Sequence, residues 1–257
     1  MTECEGPVIR VSLNRPEVHN AMDIQMIRDL SECFSILDRD KDIRLIVISS
    51  TGDNFSAGAD LNWMRNGMDQ TVVQLDEESN ELARLFRLIW EADPIVIASV
   101  RGKVMGGANG LLAASDMVVA ETTASFAFPE VKLGLVPATI APYILRKAGF
   151  SRTTELMLTG RMFSAREARE AGLAQRICDQ GLLKENTDKL IEELLSNGPE
   201  AMKGVKQLLR RLEKDIPSDQ IQAYTSKLIA GFRVSDEGQE GMKAFFEKRN
   251  PNWHENH

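Results

Sequence analysis

Phe55-Ser56-Ala57-Gly58-Ala59-Asp60-Leu61 and Gly106-Gly107-Ala108-Asn109-Gly110 decide the reading of this chain. Each stretch follows an apolar run with strand character, Leu45-Ile46-Val47-Ile48 before the first and Ile95-Val96-Ile97-Ala98 before the second. Each supplies small residues where the chain turns from a strand towards a helix. Side chains that small let a ligand approach the backbone closely. Free N–H groups at a helix start can face a ligand oxygen. Two such turns brought together would form an oxyanion hole from backbone alone, suited to a carbonyl that becomes an enolate.

Working outward, Val8–Leu13 alternates apolar and polar residues as a half-buried strand does. Helical spacing is expected from Asn20 to Leu37 and again from Val72 to Trp90. Leu45–Ser49, Ile95–Val100 after Pro94, and Met117–Ala120 read as strands, and Leu111–Ala114 as a buried helix. This alternation predicts an α/β protein of stacked ββα turns. From Thr139 the pattern turns mainly helical, with helices from about Leu182 and from Ala201 to Glu213. Residues 1–160 are expected to form the core. Residues 161–257 are expected to form a helical lobe of the same unit, since no Pro/Ser linker or repeat separates them. In the loop Asn62–Thr71, Trp63, Met64 and Met68 sit among polar residues, which suits a helical turn packed on the core.

Bulk properties remove several function classes. The 257 residues are 43% hydrophobic and 27% charged, as in a globular protein with a sizeable core. The net charge of −7 argues against general nucleic-acid binding. It leaves room for an anionic ligand near Arg15, Arg65, Lys103 or Lys248. Cys4, Cys33 and Cys178 are widely spaced, and no Cys/His cluster suggests a metal. His19, His254 and His257 are scattered, which leaves a serine-triad or metal-hydrolase reading little to build on. The first ten residues lack a signal-peptide pattern, and no apolar run approaches the ~20 residues that span a bilayer. A cytoplasmic protein in a reducing compartment, without a membrane span, is the expectation.

These segments resemble the enoyl-CoA hydratase/isomerase (crotonase) superfamily. The resemblance rests on FSAGADL, GGANG and Phe128-Pro129-Glu130-Val131-Lys132-Leu133-Gly134. Leu13-Asn14-Arg15-Pro16, Asn20-Ala21-Met22 and Phe246-Glu247-Lys248-Arg249-Asn250-Pro251 extend it, in order, over nearly the whole chain. It implies a ββα superhelix with a C-terminal helical trimerisation region, assembled as a homotrimer or homohexamer. The implied partner is an acyl-CoA substrate, with coenzyme A as part of it and no covalently bound cofactor or metal. The backbone N–H groups of Ala59 and Gly106 would form the oxyanion hole. Ala57, Ala59, Asp60, Leu61, Asn62 and Gly106 would contact coenzyme A. Arg15 would lie near its phosphates, with Phe246 and Lys248 completing the pocket or, for Phe246, packing in the core. The loop Asn62–Thr71 would then shape the acyl pocket.

Glu130 matches the second of the two glutamates that share acid–base work in hydratases of this family. Burial among apolar residues would raise its pKa towards neutrality. The competing reading is a surface glutamate paired with Lys132. The family's first glutamate is missing, and alignment on the glycine run puts Asn109 at its position. Asn109 cannot act as a base but could orient water or substrate. Asp116 and Glu121 flank a strand and read as structural. FSAGADLNWM and EVKLGLVPATIAPYI resemble bacterial methylglutaconyl-CoA hydratases of leucine breakdown. The leading expectation is hydration of a 2-enoyl-CoA, of the methylglutaconyl type. The alternatives are a Δ3-Δ2-enoyl-CoA isomerase using Glu130 alone, an acyl-CoA hydrolase or decarboxylase of the same fold, and a non-catalytic acyl-CoA binder.

Overall fold

The structure, a computed structural model, describes residues 1–67, 70–212, 229, 231 and 235–254. Met68, Glu213 and His257, named above, lie outside the described residues. The order is β1 (Thr2–Glu5), β2 (Val8–Leu13), α1 (Ile24–Leu37), β3 (Leu45–Ser50), α2 (Leu61–Gly67) and α3 (Val72–Glu91). Then come β4 (Ile95–Val100), β5 (Lys103–Met105), α4 (Ala108–Ala114), β6 (Met117–Glu121) and β7 (Ser125–Ala127). A 3-10 turn (Pro129–Leu133) leads to α5 (Ala141–Thr159), β8 (Met162–Ser164), α6 (Ala165–Glu170), β9 (Arg176–Cys178), α7 (Leu183–Leu195) and α8 (Pro199–Leu212).

Six strands form one sheet in the order β1-β2-β3-β4-β6-β9, parallel except for the β1–β2 hairpin. Every residue of β4 is buried, and only Ser49 of β3 is partly exposed. That burial explains why these strands read as unbroken Val/Ile runs, as strands covered on both faces do. β2, with two half-buried positions, keeps the alternation seen in sequence.

A second sheet, β5-β7-β8, is what positions the site. Its strands have three residues each, too short for a periodicity to reveal. β5 and β7 pair in parallel with Met105 opposite Ala127. The residues that follow, Gly106 on one strand and Phe128-Pro129-Glu130 on the other, therefore leave the sheet side by side.

Three sequence expectations shift. α1 starts at Ile24 and not at Asn20, because His19 and Asn20 take left-handed φ of 54° and 55°. Asp23 then caps the helix, its carboxylate accepting from Met26 N at 2.8 Å. The loop beginning at Asn62 is largely helical as α2, and Thr71 with Gln74 forms a capping box that starts α3. Beyond Thr139 the chain is mainly helical but contributes β8 and β9 to the two sheets.

The chain divides into two compact units, Met1–Asp188 and Lys189–His257. Residues 161–188 thus belong to the first unit. In the second, the Glu237 carboxylate accepts from Glu200 N and Ala201 N at 2.9 and 2.8 Å, closing the start of α8. Arg249 grips Glu240 through both terminal nitrogens at 2.7 and 2.9 Å. No helix among the described residues is long and apolar enough to cross a membrane. No cluster among them could hold a metal ion.

Candidate active site

The first turn is held by its own backbone. Met22 N donates to Gly58 O at 2.7 Å, Asp60 N donates to Met22 O at 2.9 Å, and Met105 N donates to Ser56 O at 3.1 Å. Gly58 has φ 92°, and a Cβ there would lie 2.8 Å from Met105 O, so only glycine lets the two turns approach this closely. Ala59 N–H has no partner among the described residues. Its peptide is planar and trans, so pinning Gly58 O through Met22 aims Ala59 N–H the opposite way.

The second turn corrects one sequence expectation. Gly106 N–H is not available to a ligand, since it donates to Ala127 O at 2.9 Å and so continues the β5–β7 ladder. The next amide, Gly107 N–H, has no partner among the described residues. A Cβ on Gly107 would meet Met22 Cε at 3.7 Å and Leu82 Cδ2 at 3.8 Å. Met22 thus meets both turns, the first through its backbone and the second through its Cε. Sequence could not separate Gly106 from Gly107, because the difference depends on where a three-residue strand stops pairing.

Glu130 sits in the Pro129–Leu133 turn, half-buried. A Cβ on Gly106 would lie 3.0 Å from Glu130 Oε1, so the carboxyl lies directly against the second turn. Glu130 Oε2 is buried with no hydrogen-bond partner. Burial pushes the carboxyl pKa up, and a backbone hydrogen bond only partly offsets this. No ion pair joins Glu130 to Lys132 among the described residues. Here the buried reading holds and the surface pairing does not. Asp116 and Glu121 have backbone partners instead, Val96 N at 2.8 Å and Gly181 N at 3.1 Å.

Asn109 does not present its amide nitrogen to solvent. It is 2% exposed, and Nδ2 donates to Gly106 O and Ala127 O at 3.0 Å each and to Val104 O at 3.3 Å. Three carbonyls around one end of the amide also identify that end as nitrogen. The amide nitrogen of Asn109, expected to help orient water or substrate, is thus committed to backbone. Gly110 packs against the ring of Phe86, which occupies the space any side chain there would need.

The coenzyme-binding expectations divide. Arg15 is engaged: its guanidinium meets Asp23 at 2.8 Å, Asp60 at 3.2 Å and Ala21 O at 2.9 Å. Two carboxylates answer its charge, so it joins chain segments and is not the free cation a phosphate needs. Asp60 caps α2, with Oδ1 accepting from Asn62 N at 2.9 Å and Trp63 N at 3.2 Å. Burial opposes its ionisation, but those amides and Arg15 outweigh it and hold the carboxyl below its usual range. Ala57 N is spent on His19 O. Leu61, 76% exposed, keeps an unpartnered N–H beside Ala59. Arg65 and Lys103 are exposed, with no ion-pair partner among the described residues. Lys248 and Phe246 belong to the second unit, and Phe246 is 79% exposed, against the core-packing alternative.

Comparison with known proteins bears on the family and the fold. The family model described as enoyl-CoA hydratase/isomerase matches residues 3–256. The chain is 32% identical over 257 residues to the carnitinyl-CoA dehydratase of Salmonella typhimurium, covering 96% of this chain and 95% of the relative. A crystal structure of an enoyl-CoA hydratase from Shewanella pealeana superposes with a TM-score of 0.93 at 40% identity, over 98% of this chain and 94% of that one. An enoyl-CoA hydratase/isomerase from Marinobacter aquaeolei gives 0.91 at 31% identity, over 99% and 98%.

Proposed function

The chain belongs to the enoyl-CoA hydratase/isomerase family, and we propose that it hydrates a 2-enoyl-CoA, with a branched methylglutaconyl-type thioester as the favoured substrate. The observation carrying this reading is the half-buried Glu130 carboxyl, raised in pKa and set against a turn with an unpartnered amide. The Ala59 and Gly107 N–H groups receive the thioester oxygen as negative charge builds on it. Glu130 takes a proton from the water that adds to C3 and returns a proton to C2. The balance is water added across one double bond, with the thioester intact. The methylglutaconyl assignment draws on the FSAGADLNWM and EVKLGLVPATIAPYI segments.

A specific observation favours a second reading. The Asn109 amide nitrogen is committed to backbone, so Glu130 is the one carboxyl assigned to the chemistry. A lone carboxylate can shuttle a proton between C2 and C4, which is double-bond isomerisation. Mass spectrometry after incubation in heavy-oxygen water separates the two. A branched 2-enoyl-CoA is expected to gain one heavy oxygen with its thioester intact. A 3-enoyl-CoA that shifts its double bond without gaining oxygen, while the 2-enoyl-CoA stays unchanged, would replace hydration by isomerisation.

We also infer self-association as a homotrimer or homohexamer. Leu133, Leu135 and Val136, just beyond Glu130, are 63%, 51% and 80% exposed, an apolar patch of the kind that marks an interaction surface. Sedimentation equilibrium is expected to give three or six chain masses; a single chain mass at micromolar concentration would refute this.

A further inference from the structure

We propose that Asn109 is a positioning residue that aims the Gly107 N–H and ties it to the strand leading to Glu130. The inference rests on the oxyanion-hole reading above and goes beyond it, because Asn109 does not itself meet the substrate.

Asn109 lies in the first turn of α4, and its side chain bonds backward onto the chain that precedes it. Gly106 O receives two donors from this one residue, Asn109 N at 3.0 Å and Asn109 Nδ2 at 3.0 Å. Gly106 O and Gly107 N–H belong to the same planar trans peptide. Holding the oxygen at one end fixes the direction of the N–H at the other. At the first turn, Met22 N does the same for the Gly58–Ala59 peptide with one bond. The second turn has two such bonds on one oxygen, at a glycine with φ 50°.

The same nitrogen also reaches Ala127 O, the last residue of β7 and three residues before Glu130. Ala127 O already accepts from Gly106 N, so Asn109 closes a small ring of bonds between the two strand ends. Val104 O, at 3.3 Å, ties in β5. One buried amide thus connects the donor turn to the segment that carries the acid. Losing the side chain would leave three carbonyls facing a void and the Gly106–Gly107 peptide held by the Asn109 backbone N–H alone. Removal of a single oxyanion donor lowers turnover by about 10²–10³-fold, and loss of its aim is expected to approach the lower figure.

The test compares wild type with Asn109→Ala and Asn109→Ser. A serine hydroxyl can reach the carbonyl three residues back, here Gly106 O, and so restores the pinning bond without the amide. Three readouts are taken: kcat and KM on the 2-enoyl-CoA, the thermal midpoint, and the near-ultraviolet band of enolised acetoacetyl-CoA bound to the protein. The band reports oxyanion stabilisation without turnover. Asn109→Ala is expected to lose kcat about 100-fold with KM within about twofold, and to bind the probe without its enolate band. Asn109→Ser is expected to recover most of both. If Asn109→Ala keeps the band, or if both variants fall equally with KM rising in parallel, the positioning role is wrong. Wild type that shows the band but no hydration would overturn hydration and leave the clamp to be judged on the band. Wild type with neither would overturn both.

Discussion

Glu130→Gln is expected to lower hydration turnover by about 10³-fold while leaving coenzyme A thioester binding within about twofold, in the range measured for positioned acid–base groups. Glutamine keeps the shape of the side chain and removes only its ability to take and return a proton. The fold gives this variant a clean control. Burial raises the folded-state pKa of Glu130. A group with a raised folded pKa contributes its full stability below the unfolded value and loses it as pH rises through the folded one. Near neutral pH the ionised carboxylate is therefore a liability to the native state, and Glu130→Gln should melt at or above the wild-type temperature. The wild-type pH profile follows the same shift. Activity that needs the carboxylate rises with pH, along a limb displaced above the ordinary glutamate value of 4.5. Wild-type turnover by the glutamine variant would remove Glu130 from the chemistry. Lost turnover with a lowered melting temperature would make its role structural.

Gly58→Ala is expected to cost about 2–4 kcal/mol of stability, combining left-handed strain with a backbone clash. The added carbon would sit 2.8 Å from Met105 O at a φ of 92°, and neither partner is a flexible side chain. Relief requires the Gly58–Ala59 peptide to move, which misdirects Ala59 N–H. Even below the melting transition, kcat should fall about 100-fold, as for a lost oxyanion donor. Urea melts paired with kinetics at low temperature check both parts. A variant with wild-type stability and turnover would show that the two turns are not held in this close approach.

Much of the fold was legible in sequence because strands buried on both faces leave a strong signal. β3, β4 and β6 appear as apolar runs, and α1 and α3 as long amphipathic periods. The small sheet was not, since Lys103–Met105 and Met162–Ser164 are too short to show a period. The site follows the same division. The residue types of both turns and Glu130 carried the chemistry and drew attention to it. Which glycine amide stays free depends on a single ladder bond, Gly106 N to Ala127 O, between residues 21 positions apart in the chain. Arg15 looked like a phosphate ligand because a sequence shows a charge but not the Asp23 and Asp60 carboxylates that answer it. Asn109 looked like a group that orients water or substrate because its type was visible and its direction was not.

An alanine scan of this protein would pass over half of its chemistry. The proposed charge-stabilising groups belong to the main chain at Ala59 and Gly107, where truncating a side chain removes nothing. The scan would find large effects at Asn109 and rank that residue above the groups it serves. Backbone ester substitution at positions 59 and 107, which deletes the N–H and leaves the side chain alone, is the mutagenesis suited to such a site. It also follows that side chains around the hole are free to vary for substrate fit while the hole stays intact, provided the carbonyl at the other end of each peptide keeps its donor.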